Sequence, residues 1–380
     1  MKAYMFPGQG SQYIGMGKGL FERYRVHVEE ADDILGYSIE NLCINEGQLL
    51  SRTEYTQPAL FTVNALTYLD KVERSGNDTS SYFLGHSLGE YNALWAAGAI
   101  SFSQSLQLVK LRGELMANAP AGGMAAVLGC DANTIRSVLN RADLNDIDIA
   151  NYNSQSQTVI SGPIERLVLS QNLFEDTATY IPLNTSGAFH SWMMKESEET
   201  FRNTLEKQTF SPLQHEVIAN LTAGPYRDEM LVNNLSKQIS SPVKWLDSIL
   251  YLNEQGVTLF EEVGPGTVLT KIVADILARN DITNIELSVD SQNSATLLAE
   301  SGVAKQANVF SDKSEADTKV QRWNSEVRIG DVVVSKRFNQ TFETRSHAMA
   351  LFGTKAVVYL RGLKGYFELD DLSPQTPLKN

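Results

Sequence analysis

Apolar residues in the first 120 positions come in short blocks separated by longer amphipathic stretches. Ala3-Tyr4-Met5-Phe6 is one such block, halted by Pro7 and Gly8, and Tyr82-Phe83-Leu84 is another, halted by Gly85. Short apolar runs bounded by Pro and Gly and followed by helical periodicity predict an α/β layer structure with a mainly parallel sheet. Residues 123–186 read differently. Met124–Leu128 predicts a strand, and Asp131 is placed to cap a helix through Leu139. Ile147–Ala150 and Thr158–Ile160 predict two more strands around an Asn/Ser/Gln loop. Pro163 suits the start of a helix running toward Phe174, and Tyr180–Leu183 closes the unit. The order β-α-β-β-α-β is the ferredoxin-like arrangement. Residues 187–288 return to the first pattern, with Val257–Val263 before Gly264-Pro265-Gly266. The expected layout is therefore a core of 1–122 and 187–288 with 123–186 inserted.

The stretch 289–325 is polar and poor in aromatics, and reads as a linker. From 326 to 380 the pattern turns to β, in VRIGDVVVSKRF, ALFGTKAVVYLRG and KGYFELDDL. A unit of about 50 residues cannot bury a large core alone, so it is expected to pack on something else. No repeat of ~20–50 residues points to a solenoid.

One helical segment breaks its own pattern. At 100° per residue, Leu108, Val109, Leu111, Leu115 and Met116 share a face, and Arg112 falls in the middle of it; Lys110, Gly113 and Glu114 fall opposite. An inward guanidinium is costly unless it meets an anion. An internal salt bridge would satisfy it. So would a substrate carboxylate, which the planar fork of arginine binds bidentately.

Gly85-His86-Ser87-Leu88-Gly89 fits G-x-S-x-G, with an apolar strand before it and a helical stretch after it. The glycines allow a sharp strand-to-helix turn that exposes the Ser87 hydroxyl at a helix N-terminus, where free N–H groups stabilise developing negative charge. The N–H of Leu88 is the natural first oxyanion donor. Such a serine needs a base. His86 adjoins it, but neighbouring side chains at a sharp turn point apart, so His86 is expected beside the substrate and not as the base. His190 lies in the small-residue loop Thr185-Ser186-Gly187-Ala188-Phe189-His190-Ser191 and is the candidate base. His27, His215 and His347 sit among charges and are expected at the surface. No acid stands out as a third member, which leaves a dyad oriented by a main-chain carbonyl or an amide.

Composition narrows the partners. The 32 basic and 45 acidic side chains give a net charge of −13, which argues against nucleic acid and anionic membrane surfaces. Two distant cysteines, Cys43 and Cys130, have no metal spacing and read as free thiols of a reducing compartment. With no signal peptide and no run of the ~20 apolar residues a membrane helix needs, the chain is expected to be cytoplasmic.

Six segments occur in the order of a known family: FPGQGSQYIGMG (6–17), GHSLGEYNAL (85–94), the helix of Arg112, NYNSQSQTVISG (151–162), SGAFHS (186–191) and EVGPGTVLT (262–270). Over about residues 1–285 the chain resembles malonyl-CoA:acyl carrier protein transacylases and the acyltransferases of polyketide synthases. The resemblance implies an α/β-hydrolase-like core with an inserted ferredoxin-like subdomain. It implies Ser87 as nucleophile, His190 as base, Gln9 and Leu88 as backbone oxyanion donors, and Arg112 as the clamp for a malonyl carboxylate. It places Asn153 near the site, Gln57 of the TQPAL segment in support, and Phe189 where an α-methyl branch would be crowded out. It also implies that main-chain or amide contacts near Ser241-Pro242-Val243-Lys244-Trp245 orient the histidine.

The segment ETRSHAMALFGTKAVVYLRGLKGYFELDDLSP (343–374) resembles a piece that follows stand-alone acyltransferases of trans-acting polyketide systems. The implied activity is malonyl transfer from malonyl-CoA to a phosphopantetheinylated acyl carrier protein, by an acyl-serine, with no metal or redox cofactor. An acyl hydrolase that clears carrier proteins, a fatty-acid transacylase, and a silent docking module are the competing readings.

Overall fold

A computed structural model describes residues 1–76, 81–175, 177–289, 315–328, 330–336, 340–344, 348–351, 355–361 and 366–374. The N-terminal part runs β1 (Lys2–Phe6), α1 (Leu20–Arg23), α2 (Arg25–Leu35), α3 (Ile39–Asn45), α4 (Gly47–Leu50), α5 (Thr53–Ser75), β2 (Ser81–Gly85), α6 (Gly89–Ala96) and α7 (Phe102–Ala117). It continues with β3 (Gly123–Leu128), α8 (Ala132–Arg141), β4 (Asp148–Ser154), β5 (Gln157–Gly162), α9 (Ile164–Gln171) and β6 (Thr179–Leu183). The chain then returns through α10 (Lys195–Leu205), β7 (Val217–Ile218), α11 (Leu231–Gln238), α12 (Trp245–Glu254), β8 (Leu259–Glu262), α13 (Val268–Arg279) and β9 (Glu286–Val289).

Five strands form one parallel sheet in the order β7-β2-β1-β8-β9. The apolar block of β1 is central, and its alternate side chains serve two cores. Tyr4 and Phe6 pack with Phe83, Tyr68 and the α5–α7 face, whereas Ala3 and Met5 pack with Phe260, Trp245 and Ile276. Burial on both faces is why β1 reads as a continuous apolar run. α7 and α5 pack closely, and Gly113 is the contact that lets them: a Cβ there would lie 3.1 Å from the Glu54 Cα. Gly113 is therefore buried, not on the outward face that the helical projection assigned to it. A wheel of side chains does not register a missing one.

Residues 123–183 build a separate four-stranded antiparallel sheet, β4-β5-β3-β6, with a core of Ala125, Val127, Ile135, Ile160, Leu167 and Phe174 beneath α8 and α9. Asp131 caps α8 by accepting from the Thr134 N–H at 2.9 Å. A bridge joins this sheet to the segment after α11: the Tyr152 N–H donates to the Val243 carbonyl at 2.9 Å, and the Val243 N–H to Ala150 at 2.9 Å.

The C-terminal residues form α14 (Glu315–Glu326), β10 (Val332–Ser335), β11 (Gln340–Glu343), β12 (Met349–Leu351), β13 (Lys355–Tyr359), β14 (Tyr366–Glu368) and β15 (Leu372–Pro374). They make two three-stranded sheets, β11-β10-β15 and β12-β13-β14. Residues 315–325 of the expected linker 289–325 are thus helix. α14 supplies Trp323 to a cluster with Val333, Val358, Leu360, Phe367 and Leu372. The β unit uses that helix to close its own core. Residues 290–314 of the linker, and His347, lie outside the described residues.

Candidate active site

β2 ends at Gly85 and α6 starts at Gly89, so Ser87 occupies the turn between them with φ 51°. A left-handed serine is strained and needs outside support. Both glycines are required by close approach. A Cβ on Gly85 would overlap the Gly89 backbone, and a Cβ on Gly89 would overlap the Phe6 carbonyl. Asn220, just after β7, closes the turn: its Nδ2 donates to the Gly85 carbonyl at 2.7 Å and its Oδ1 accepts from the Ser87 N–H at 2.7 Å. The Ser87 N–H is thereby occupied, and Leu88, which follows it at the N-terminus of α6, presents the next one.

The loop after β1 presses on the same turn. A Cβ on Gly8 would collide with the His86 carbonyl, so the absence of a side chain there is what lets this loop, which carries Gln9 next, lie against the elbow. The Gln9 side chain is held away, its Oε1 accepting from the Thr53 hydroxyl at 2.8 Å.

His190 faces the elbow from the loop before α10, also in a left-handed conformation (φ 59°). Its Nε2 lies 2.8 Å from Ser87 Oγ, and its Nδ1 lies 2.8 Å from the Gln238 carbonyl and 3.1 Å from the Ser241 carbonyl. Carbonyls only accept, so the proton sits on Nδ1 and the Nε2 lone pair faces the serine hydroxyl. Burial, and then the nearby Arg112 cation, push the imidazole down to about 3. The imidazole is therefore neutral near pH 7, the state in which a histidine can accept a proton. Two carbonyls thus stand where a triad has its carboxylate. One is Ser241 of the expected segment; the other, Gln238, lies three residues upstream of it.

Arg112 is 1% exposed and contacts no carboxylate among the described residues. Its Nη1 donates to Gln57 Oε1 at 2.6 Å, and its Nη2 to Gln238 Oε1 at 2.9 Å and to Ser87 Oγ at 2.9 Å. The Tyr91 ring lies 5.7 Å away, a cation–π distance. Gln57 also donates to the Thr53 hydroxyl at 3.1 Å, so α5 fixes the amide that fixes the arginine. A buried cation with only neutral acceptors in contact is short of an anion.

His86 turns away from Ser87, its Nε2 lying 2.9 Å from Asn153 Oδ1 and its ring 5.5 Å from that of Trp245. Burial pushes it below the usual histidine range. Phe189 is buried in the apolar cluster that includes Leu88, Tyr91 and Met116. The structure therefore brings Ser87, His190, Arg112 and Gln57 into one hydrogen-bonded group, with His86 and Asn153 on the adjoining side. His27 and His215 are partly buried against Phe102 and Phe83, and not free on the surface. Sequence reasoning missed Gln238, Asn220, Glu90 and Tyr226; of these, only Glu90 lies inside a recognisable motif. Among the described residues no group of three or more His, Cys, Asp or Glu could hold a metal ion, and no described helix is long and apolar enough to cross a membrane.

The acyl transferase domain family matches residues 3–312. The Bacillus subtilis polyketide biosynthesis malonyl CoA-acyl carrier protein transacylase PksC is 48% identical over 277 residues, 72% of this chain and 96% of its own length. The B. subtilis polyketide biosynthesis protein PksE is 50% identical over 277 residues, and there the match spans 36% of that longer relative. A crystal structure of a Burkholderia pseudomallei malonyl CoA-acyl carrier protein transacylase is 44% identical and superposes with a TM-score of 0.71, covering 73% of this chain and 98% of that one. With a serine elbow, a neutral histidine and a buried arginine in one group, and with this match over most of its length, the chain belongs to the acyl transferase domain family.

Proposed function

We propose that this chain moves malonyl from malonyl-CoA to the phosphopantetheine thiol of an acyl carrier protein, through a malonyl ester on Ser87. The reading rests above all on Arg112, a buried cation 2.9 Å from the nucleophile with only amide and hydroxyl acceptors in contact. His190 Nε2 takes the Ser87 proton as Oγ attacks the thioester carbon. The oxyanion rests on the N–H groups of Leu88 and Gln9; losing one such donor typically costs about 100- to 1000-fold. The tetrahedral intermediate expels the CoA thiolate, which takes the proton from His190. The malonyl carboxylate meanwhile lies on Arg112. A carrier thiol then gives its proton to His190 and attacks the ester, and Ser87 leaves reprotonated. Turnover is ping-pong. Gln57 orients Arg112, His86 and Asn153 bound the acyl site, and Phe189 disfavours α-branched acyl groups, by about 1–3 kcal/mol per methyl group.

The strand order β4-β5-β3-β6 supports a ferredoxin-like subdomain over 123–186, inserted in an α/β-hydrolase-like core formed by 1–122 and 187–288. The polyketide names of PksC and PksE support a role in polyketide biosynthesis; the proposal places that role in trans and in the cytoplasm, with no cofactor beyond the CoA thioester.

Arg112→Ala tests the assignment. Malonyl loading should fall by about 100-fold or more, the scale of losing a charge-assisted bidentate contact, while acetyl loading falls far less. Equal loss for both substrates would remove Arg112 from the carboxylate. Release of free malonate at the rate of thioester cleavage, with no carrier acylated, would favour a hydrolase.

A further inference from the structure

Glu90 lies in the first turn of α6, three residues after the nucleophile, and is completely buried. A buried carboxylate that touches no cation is expensive, and none of the catalytic steps above uses it. Every group facing it is a donor. From the loop before α11 the Tyr226 hydroxyl donates to its Oε1; from α11 Gln238 Nε2 donates to its Oε2 at 2.6 Å; from the loop after β7 the Asn220 N–H donates to Oε2 at 3.4 Å. Arg112 on α7 and Tyr91 beside it on α6 complete the surroundings.

The Gln238 amide is consequently locked. Its two N–H groups serve Glu90 and, at 2.8 Å, the Ser87 carbonyl. Its oxygen has one orientation left, toward Arg112 Nη2 at 2.9 Å. Flipping the amide would aim N–H at a guanidinium and an oxygen at a carboxylate, two repulsive contacts at once.

We propose that Glu90 is a positioning residue that acts through the Gln238 amide, supplying the buried counter-charge to Arg112 and aiming its fork at the carboxylate of the incoming acyl group. Glu90 thereby governs preference for carboxylated over plain acyl thioesters, and not the acyl transfer chemistry itself. Burial pushes this carboxyl up to about 7, partly offset by Tyr226, Gln238, Asn220 and Arg112. The counter-charge is therefore present above that pH and lost below it. The inference rests on the acyl transfer reading.

The test is the rate of Ser87 acylation by malonyl-CoA and by acetyl-CoA, followed by rapid quench and intact mass from pH 5.5 to 8.5. For the unaltered chain the malonyl-to-acetyl rate ratio should fall as the pH drops through about 7. Glu90→Gln should lower that ratio about tenfold at pH 8 and flatten its pH dependence. Tyr226→Phe keeps the carboxyl but removes a donor that favours its charged form, so the midpoint should move to higher pH; this variant decides the matter if Glu90→Gln fails to fold. A ratio in Glu90→Gln equal to that of the unaltered chain, equal loss for both substrates, or an unmoved midpoint in Tyr226→Phe would overturn the proposal. Absence of malonyl on Ser87 in the unaltered chain would instead overturn the acyl transfer reading beneath it.

Discussion

His190, the base of the proposed mechanism, has two carbonyls and no acid behind it. Its Nδ1 proton is shared between two carbonyls, which fixes the tautomer as a carboxylate would but adds no negative charge. Desolvation and Arg112 then act unopposed by a counter-ion, and the imidazole stays neutral down to about pH 3. Acylation by acetyl-CoA, which offers Arg112 no carboxylate, should accordingly keep its rate from pH 8 to about 5; a half-loss centred near 6.5 would mean an ordinary histidine. The sign carries over to stability. A folded-state value held below the unfolded 6.5 contributes stability above 6.5, and this is lost as the pH falls toward 3.

The sequence announced Ser87, His190 and Arg112 because each breaks a local pattern: a serine between glycines, a histidine among small residues, a cation on an apolar face. Gln238, Asn220 and Tyr226 break none. They are polar residues that mark no local pattern, and their importance arises from contacts more than a hundred positions away, such as Asn220 to Gly85 and Gln238 to Ser87.

Among the elements, the strand-to-helix junction holds Ser87, the nucleophile of the proposed mechanism. The elbow folds so tightly that Gly85 has no room for a methyl group against the Gly89 backbone of α6, and Gly89 has none against Phe6 of β1. Gly89→Ala should destabilise the fold by about 3 kcal/mol or more, since backbone would collide with backbone. Gly224→Ala, where a Cβ meets nothing within 4 Å, should stay within about 0.5 kcal/mol of the unaltered chain. Denaturant titration of both variants checks this, and similar midpoints would contradict the packing described. This junction was legible because its chemistry is local. The helix α14 was not. EADTKVQRWNSE offers only Ala316, Val320 and Trp323 as apolar residues; their spacing is helical, but three such positions in a polar stretch are too few to carry a prediction, and the helix is held by Trp323 packing on strands that come later in the chain.

At the scale of the whole molecule, the site is assembled from segments far apart: the loop after β1, α5, the elbow, α7, β4, the His190 loop and the end of α11. The parallel sheet gathers most of these at one end of its strands, where loops carry chemistry on a rigid frame. The antiparallel unit leans in through the β4 bridge to Val243, which brings Asn153 to His86. The C-terminal unit has its own apolar cluster, and residues 313–380 lie beyond the span that matches the family. Ending the chain after residue 289 should therefore leave Ser87 acylation intact. Failure of the truncated protein to acylate while still folded would give the C-terminal unit a part in the chemistry.

The most direct measurement is intact mass of the protein after brief exposure to malonyl-CoA, followed by addition of a phosphopantetheinylated carrier protein. One malonyl group should appear on the chain, map to Ser87, be absent from Ser87→Ala, and move to the carrier thiol on addition. A malonylated carrier formed with no acyl-enzyme and undiminished in Ser87→Ala would contradict the account.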